Sequence, residues 1–230
     1  MRSKYSYGSR QRTIQVPTSW ADVSLGQFID YLEAMDEENF THRHAKTVAA
    51  FTEMSYDECM KAIPWQDLLK VSGMIAEFLG QLQEPRLVHF VTLDGVEYGF
   101  HPQVANMTAG EYIDLTNLDR GFWLDADKAM AILYRPVKVK IGNKYQVEEY
   151  GDHHIENADL MRQLPMNVVQ GAAAFFLTLA KASAEILTTY SEAQMKTMRE
   201  KVNEAIQAAQ QAGIDTSTIP EVEAWKRLTT

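Results

Sequence analysis

One cysteine stands in these 230 residues, Cys59, so no internal disulfide is possible and a reducing compartment is expected. Its setting, Tyr56-Asp57-Glu58-Cys59-Met60, is acidic, which raises a thiol's pKa rather than activating it. No glycine-rich phosphate loop and no nucleophile elbow occur. Long apolar runs are also missing. The longest uncharged piece of the greasiest stretch, Leu164 to Ala180, is shorter than the roughly 20 residues a spanning helix needs, and Lys181 and Glu185 follow it. The opening residues, Met1-Arg2-Ser3-Lys4-Tyr5-Ser6-Tyr7-Gly8, carry no apolar leader segment. These gaps lead to the expectation of a non-catalytic chain with no cofactor, no metal and no membrane span.

What is present is an uneven charge. The whole chain carries −9, yet residues 1–12 hold four bases and no acid, which leaves −13 for the rest. An acidic body repels phosphates, so broad nucleic-acid binding is not expected. The basic segment interleaves Tyr5 and Tyr7 with Arg2, Lys4, Arg10 and Arg12. Residues 1–19 are therefore read as an extended arm, disordered or laced across an acidic neighbouring protein. Stacking on single-stranded nucleic acid through the same residues is kept as an alternative.

Residues 20–190 read as one mainly helical α+β domain. Ser24 with Gln27 and Ser55 with Glu58 are capping boxes that open helices. Further helices are expected over Thr41–Thr52, Trp65–Leu82, Thr108–Asn117 and Asp125–Tyr134. Two β-hairpins are expected at about 86–100, turning on Asp94-Gly95, and at about 135–150, turning on Gly142-Asn143. Arg135 precedes Pro136 at a helix–strand joint, where its guanidinium suits a carboxylate.

The stretch Leu164 to Leu187 predicts a helix from about 166 to 189, capped by Asn167 with Gln170. Gly171, Ala172, Ala173 and Ala174 thin one section so that another backbone can approach, and Phe175 and Phe176 add bulk beyond it. A helix apolar nearly all round belongs at the centre of a bundle or against another chain. Residues 191–230 read as a C-terminal helix and tail. Met195, Met198, Val202, Ala205, Ala209 and Ala212 form a narrow seam there, and Trp225 is a docking candidate.

Two segments echo each other: VSLGQFIDYL (23–32) and MTAGEYIDLT (107–116). Each has a hydroxyl cap, a glycine two residues on, a Gln or Glu that completes the box, an aromatic, then Ile-Asp. Convergent helix-start chemistry and a duplicated unit explain this equally well. His42 and His44 lack the spacing of three or four that puts two ligands on one helical face. His153, His154, Glu156 and Asp159 make the one group from which a metal-dependent enzyme, the competing functional class, would be built.

Taken in order, VPTSWADVSLGQFIDYL (16–32), MTAGEYIDLTNL (107–118), AMAILYRPV (129–137), KYQVEEYG (144–151) and LPMNVVQGAAAFFLTLAKASAEIL (164–187) carry a resemblance. The set resembles a group of tailed-bacteriophage morphogenesis proteins over roughly residues 14–190. That resemblance implies a structural or tail-assembly protein, either a virion component or a tail assembly chaperone. It also implies residence in the host cytoplasm during assembly or in the virion, and partners among tail or neck proteins or further copies of this chain. No catalytic motif comes with it. The partner-binding candidates, Arg2, Lys4, Tyr5, Tyr7, Arg10, Arg12, Phe175, Phe176, Met195, Met198 and Trp225, follow from the residues themselves.

Overall fold

The computed structural model describes residues 2–8, 12–81, 84–142, 144–151 and 157–178, with six single positions between 194 and 207. Two compact units divide the chain, residues 1–177 and 178–230. The first is mixed, mainly helical, with two small antiparallel sheets.

The basic N-terminus is not a free arm. Strands β1 (Arg2–Tyr7) and β2 (Arg12–Pro17) form an antiparallel hairpin with Tyr5 opposite Ile14 and Ser3 opposite Val16. The reason is an apolar alternation beneath the charge. Tyr7, Ile14 and Val16 are buried on one side while Lys4, Ser6, Thr13 and Gln15 face solvent. The hairpin is fastened to the body. The Tyr5 hydroxyl and the Gly8 amide donate to the two carboxylate oxygens of Asp67, at 3.0 and 3.1 Å. The Arg2 guanidinium donates to the Asp22 carbonyl.

Four helices follow. They are α1 (Leu25–Met35), α2 (Phe40–Phe51), α3 (Tyr56–Ala62) and α4 (Trp65–Leu79). Reciprocal capping boxes, Ser24 with Gln27 and Ser55 with Glu58, open α1 and α3, and the Asn39 side chain caps α2. Pro64, which cannot continue a helix, separates α3 from α4. Ile29, Val48, Phe51, Val71 and Ile75 are fully buried where these helices meet, each contributing on the order of 1.5–3 kcal/mol. Cys59 is buried among them. Burial first, then Glu58, pushes its thiol up to about 11, so the chemistry is inert as expected but the dominant cause is desolvation.

The second sheet has the order β3-β4-β5-β6, from β3 (Phe90–Leu93), β4 (Val96–Phe100), β5 (Tyr134–Ile141) and β6 (Lys144–Val147). Asp94 and Gly95 turn β3 into β4 with φ of 47° and 81°, the left-handed pair a type I′ turn requires. The first hairpin is shorter than expected, since residues 86–89 are not a strand. Between β4 and β5 lie α5 (Ala109–Thr116), with its Thr108–Glu111 capping box, and α6 (Ala126–Leu133). All of α6 except Lys128 is buried, and it runs straight into β5. A bulge between Val137 and Val139 interrupts the β5–β6 ladder.

After the short helix α7 (Ala158–Met161), residues 162–166 lie against the start of α1. The amides of Leu25 and Gly26 donate to the carbonyls of Leu164 and Arg162, both at 2.8 Å. The last described helix, α8, covers 166–178. It starts earlier than its expected cap: the Pro165 carbonyl accepts from Val168 and Val169, so Asn167 sits inside the helix. The thin section does what its small residues suggest. A Cβ on Gly171 would overlap the Arg86 carbonyl. Gly171→Ala is expected to cost about 1–3 kcal/mol by overpacking, read as a lowered denaturation midpoint. Phe176 is buried and stacks on Phe122, while Phe175 meets Phe100 edge-on and stays 43% exposed. The expected continuation of α8 to about 189 lies outside the described residues. Among the described residues, no helix is long and apolar enough to cross a membrane.

In the second unit, Gln194, Lys196, Thr197, Glu200, Glu204 and Gln207 are helical and exposed. The seam residues Met195 and Met198, and Trp225, lie outside the described residues.

Candidate functional site

A buried group of three ionisable side chains sits where the exit of β4, the start of α5 and the start of β5 converge. His101 follows β4 and is held by its amide to the Leu133 carbonyl at 2.7 Å. Glu111 is the third residue of α5, the position that closes a capping box, and its carboxylate accepts from the Thr108 amide. Arg135 is the second residue of β5. All three are at least nine-tenths buried. The Arg135 guanidinium reaches Glu111 Oε1 at 2.7 Å, and His101 Nε2 reaches the same oxygen at 3.3 Å.

The histidine tautomer follows from its neighbours. The Gln103 amide donates to His101 Nδ1 at 3.1 Å, so Nδ1 holds a lone pair and Nε2 carries the hydrogen facing Glu111. Burial, reinforced by Arg135, lowers the His101 pKa despite the nearby carboxylate, and the ring is neutral at pH 7. Burial alone would raise Glu111. The Thr108 amide and hydroxyl, with Arg135 and His101, bring it below the ordinary glutamate value. Burial also lowers Arg135, and Glu111 opposes that. The cluster thus holds one carboxylate, one guanidinium and one neutral imidazole. The contacts that Arg135 and His101 make with Glu111 hold the start of α5 against the sheet. Arg135 Nε is buried with no partner among the described residues.

The cluster forms the floor of an open groove of about 570 Å³ whose rim carries Lys138, Glu148 and Tyr150. The Tyr150 hydroxyl donates to Asp114 on α5. Burial and Asp114 together push that phenol well above its ordinary pKa. A larger groove of about 810 Å³ is lined by Pro102, just after β4, and by Val139, Ile141 and Tyr145 of the β5–β6 ribbon. Ile141 at the ribbon's end is 76% exposed.

The residues expected to bind partners are not gathered in one place. Tyr7 is buried with its hydroxyl on the Met54 sulfur, and Tyr5 is bonded to Asp67, so the N-terminal hairpin uses its tyrosines internally. The Tyr7 ring is thereby withdrawn from solvent, while Tyr5 stays half-buried. Lys4 and Arg12 remain exposed, and Arg10 lies outside the described residues. Of the metal-ligating group, Asp159 is exposed on α7, while His153, His154 and Glu156 lie outside the described residues. His44, on α2, bonds Ser72 at 2.7 Å.

Sequence reasoning placed Arg135 against a carboxylate and Glu111 in a capping box, but not against each other. His101 completes the cluster. Tyr150 gave no signal at all. The chain matches no family model, no curated protein and no solved structure.

Proposed function

We propose that this chain is a non-catalytic structural or assembly protein of a tailed-phage tail or neck, working by protein–protein contact. Two things support the reading. One is the ordered set of phrases that resembles phage morphogenesis proteins. The other, which carries it, is the outward face of α8. Phe175 and Leu177 are 43% and 53% exposed there, beside buried Val169, Ala172, Ala173 and Phe176. Large apolar side chains held out on a rigid helix suit a protein partner. In this reading α8 is the central helix of the bundle and keeps one face for a tail or neck protein. The Met195–Met198 seam and Trp225 supply a second contact.

Mass spectrometry of purified particles separates the two forms of the proposal. A virion component is present at constant stoichiometry, whereas a tail assembly chaperone acts in the host cytoplasm and is absent from the particle. The shared claim is tested by a phage carrying Phe175→Ser with Leu177→Ser. That chain should fold, yet tails should fail to assemble. Normal tail yield from this double variant, or from a phage lacking the gene, would refute the proposal.

A further inference from the structure

The outer edge of β6 carries side chains that specify a particular neighbour. β6 is the last strand in its sheet, so among the described residues one side of its backbone has no partner strand. The Glu148 amide turns inward to the Pro136 carbonyl at 2.9 Å. Backbone groups alternate along a strand, so Tyr145 and Val147 turn their N–H and C=O outward. Such an edge is a template for another strand.

The side chains select which strand. Lys144, Gln146 and Glu148 alternate onto one face, and Lys144 and Gln146 are exposed. Lys140, by contrast, is already paired with Glu97. Neither Lys144 nor Glu148 has an ion-pair partner among the described residues. Now lay a second copy of β6 antiparallel with Gln146 opposite Gln146. Lys144 then stands opposite Glu148 of the second copy, and Glu148 opposite its Lys144. Tyr145 stands opposite Val147, and these are the residues whose backbone groups point outward. Cross-strand pairs of both kinds stabilise a ladder. Moving the centre by one residue, to Tyr145 or Val147, puts Lys144 opposite Gln146 or Tyr150 and loses both ion pairs. One register therefore satisfies charge, side-chain facing and backbone bonding together, and it is two-fold symmetric.

We propose that the chain self-associates through the β6 edge, joining two four-stranded sheets into one. The proposal stands whether or not the tail or neck role is correct. The edge is short, so the buried area falls at or below the ~1,200 Å² of the smallest stable interfaces, and the dimer should dissociate on dilution.

Sedimentation velocity of the full chain over a dilution series at low salt tests this. A concentration-dependent dimer is expected. Lys144→Glu and Glu148→Lys should each weaken it at least tenfold, because each places like charges opposite one another twice. An equimolar mixture of the two variants should recover the wild-type affinity, since each supplies the charge the other lacks. Thermal melting matched to the wild type verifies that both variants fold. A wild-type chain that stays monomeric overturns the proposal. So does an oligomer indifferent to either variant, or a mixture that stays dissociated although both variants melt normally. One check needs no variant: added salt should weaken the wild-type dimer, and an affinity that does not fall overturns the charge-paired register.

Discussion

The starts of α1 and α5 use the same local grammar and are anchored by different physics. Each has a hydroxyl cap, a glycine two residues on, and a Gln or Glu closing the box. In each, a side chain from later in the chain crosses that glycine and ends on the aspartate six residues after the cap. Arg162 crosses Gly26 to Asp30, and Tyr150 crosses Gly110 to Asp114. At α1 the box is neutral, the first two amides are covered by carbonyls of residues 162 and 164, and Ile29 is fully buried. At α5 the box is charged and buried, held by Arg135 and His101, while the corresponding Ile113 is 51% exposed. The capping chemistry is local. What anchors a helix start is decided by what arrives from elsewhere in the chain: backbone carbonyls in one case, a guanidinium in the other.

Removing the box-closing side chain should separate the two cases most strongly. Glu111→Gln leaves Arg135 buried opposite a neutral group and is expected to cost about 3–5 kcal/mol. Gln27→Ala removes one neutral capping bond and should cost roughly 0.5–1.5 kcal/mol. Urea denaturation midpoints of the two variants measure the gap. Equal losses would mean that the Glu111 cluster anchors nothing.

This contrast also marks what was legible beforehand. Ser24, Ser55 and Thr108 with their partners three residues on, and the Asp94-Gly95 turn, all act within a few residues, and the structure forms elements where they point. Gly171 was legible as a thin place because small residues permit close approach, although the Arg86 backbone that uses it was not. The N-terminal hairpin was misread because its bases outweighed the Tyr-x-Tyr and Ile-x-Val alternation beneath them. The Glu111–Arg135–His101 cluster joins residues far apart in the chain, and no local pattern encodes such a meeting.

Acid should loosen the α5 end selectively. Folding lowers the pKa of both His101 and Glu111. A group whose pKa is lower in the folded state binds protons more readily when unfolded, so its contribution is present above the unfolded pKa and lost as pH falls. For His101 the loss begins below about 6.5, and for Glu111 below about 4.3 and through its lower folded value. Stability measured by urea denaturation should therefore fall with pH in two stages. His101→Gln should flatten the first, and no change in that slope would exclude His101 as its source.

The smallest expected difference is the most specific to the comparison. A Cβ on Gly110 would sit 3.6 Å from the Tyr150 ring, ordinary contact, whereas on Gly26 it would lie 3.2–3.3 Å from the Arg162 side chain and carbonyl. Replacing a helical glycine by alanine favours the helix by up to about 1 kcal/mol, less near an end. Gly110→Ala should then be neutral to stabilising by a few tenths of a kcal/mol. Gly26→Ala has the same intrinsic gain, but it must displace Arg162, whose carbonyl accepts the Gly26 amide and whose guanidinium pairs with Asp30 at 2.6 Å. Its midpoint should drop below the wild type while that of Gly110→Ala does not. If the order reverses, the crossing residue at α1 yields more easily than the aromatic at α5, and the backbone anchor is the softer of the two.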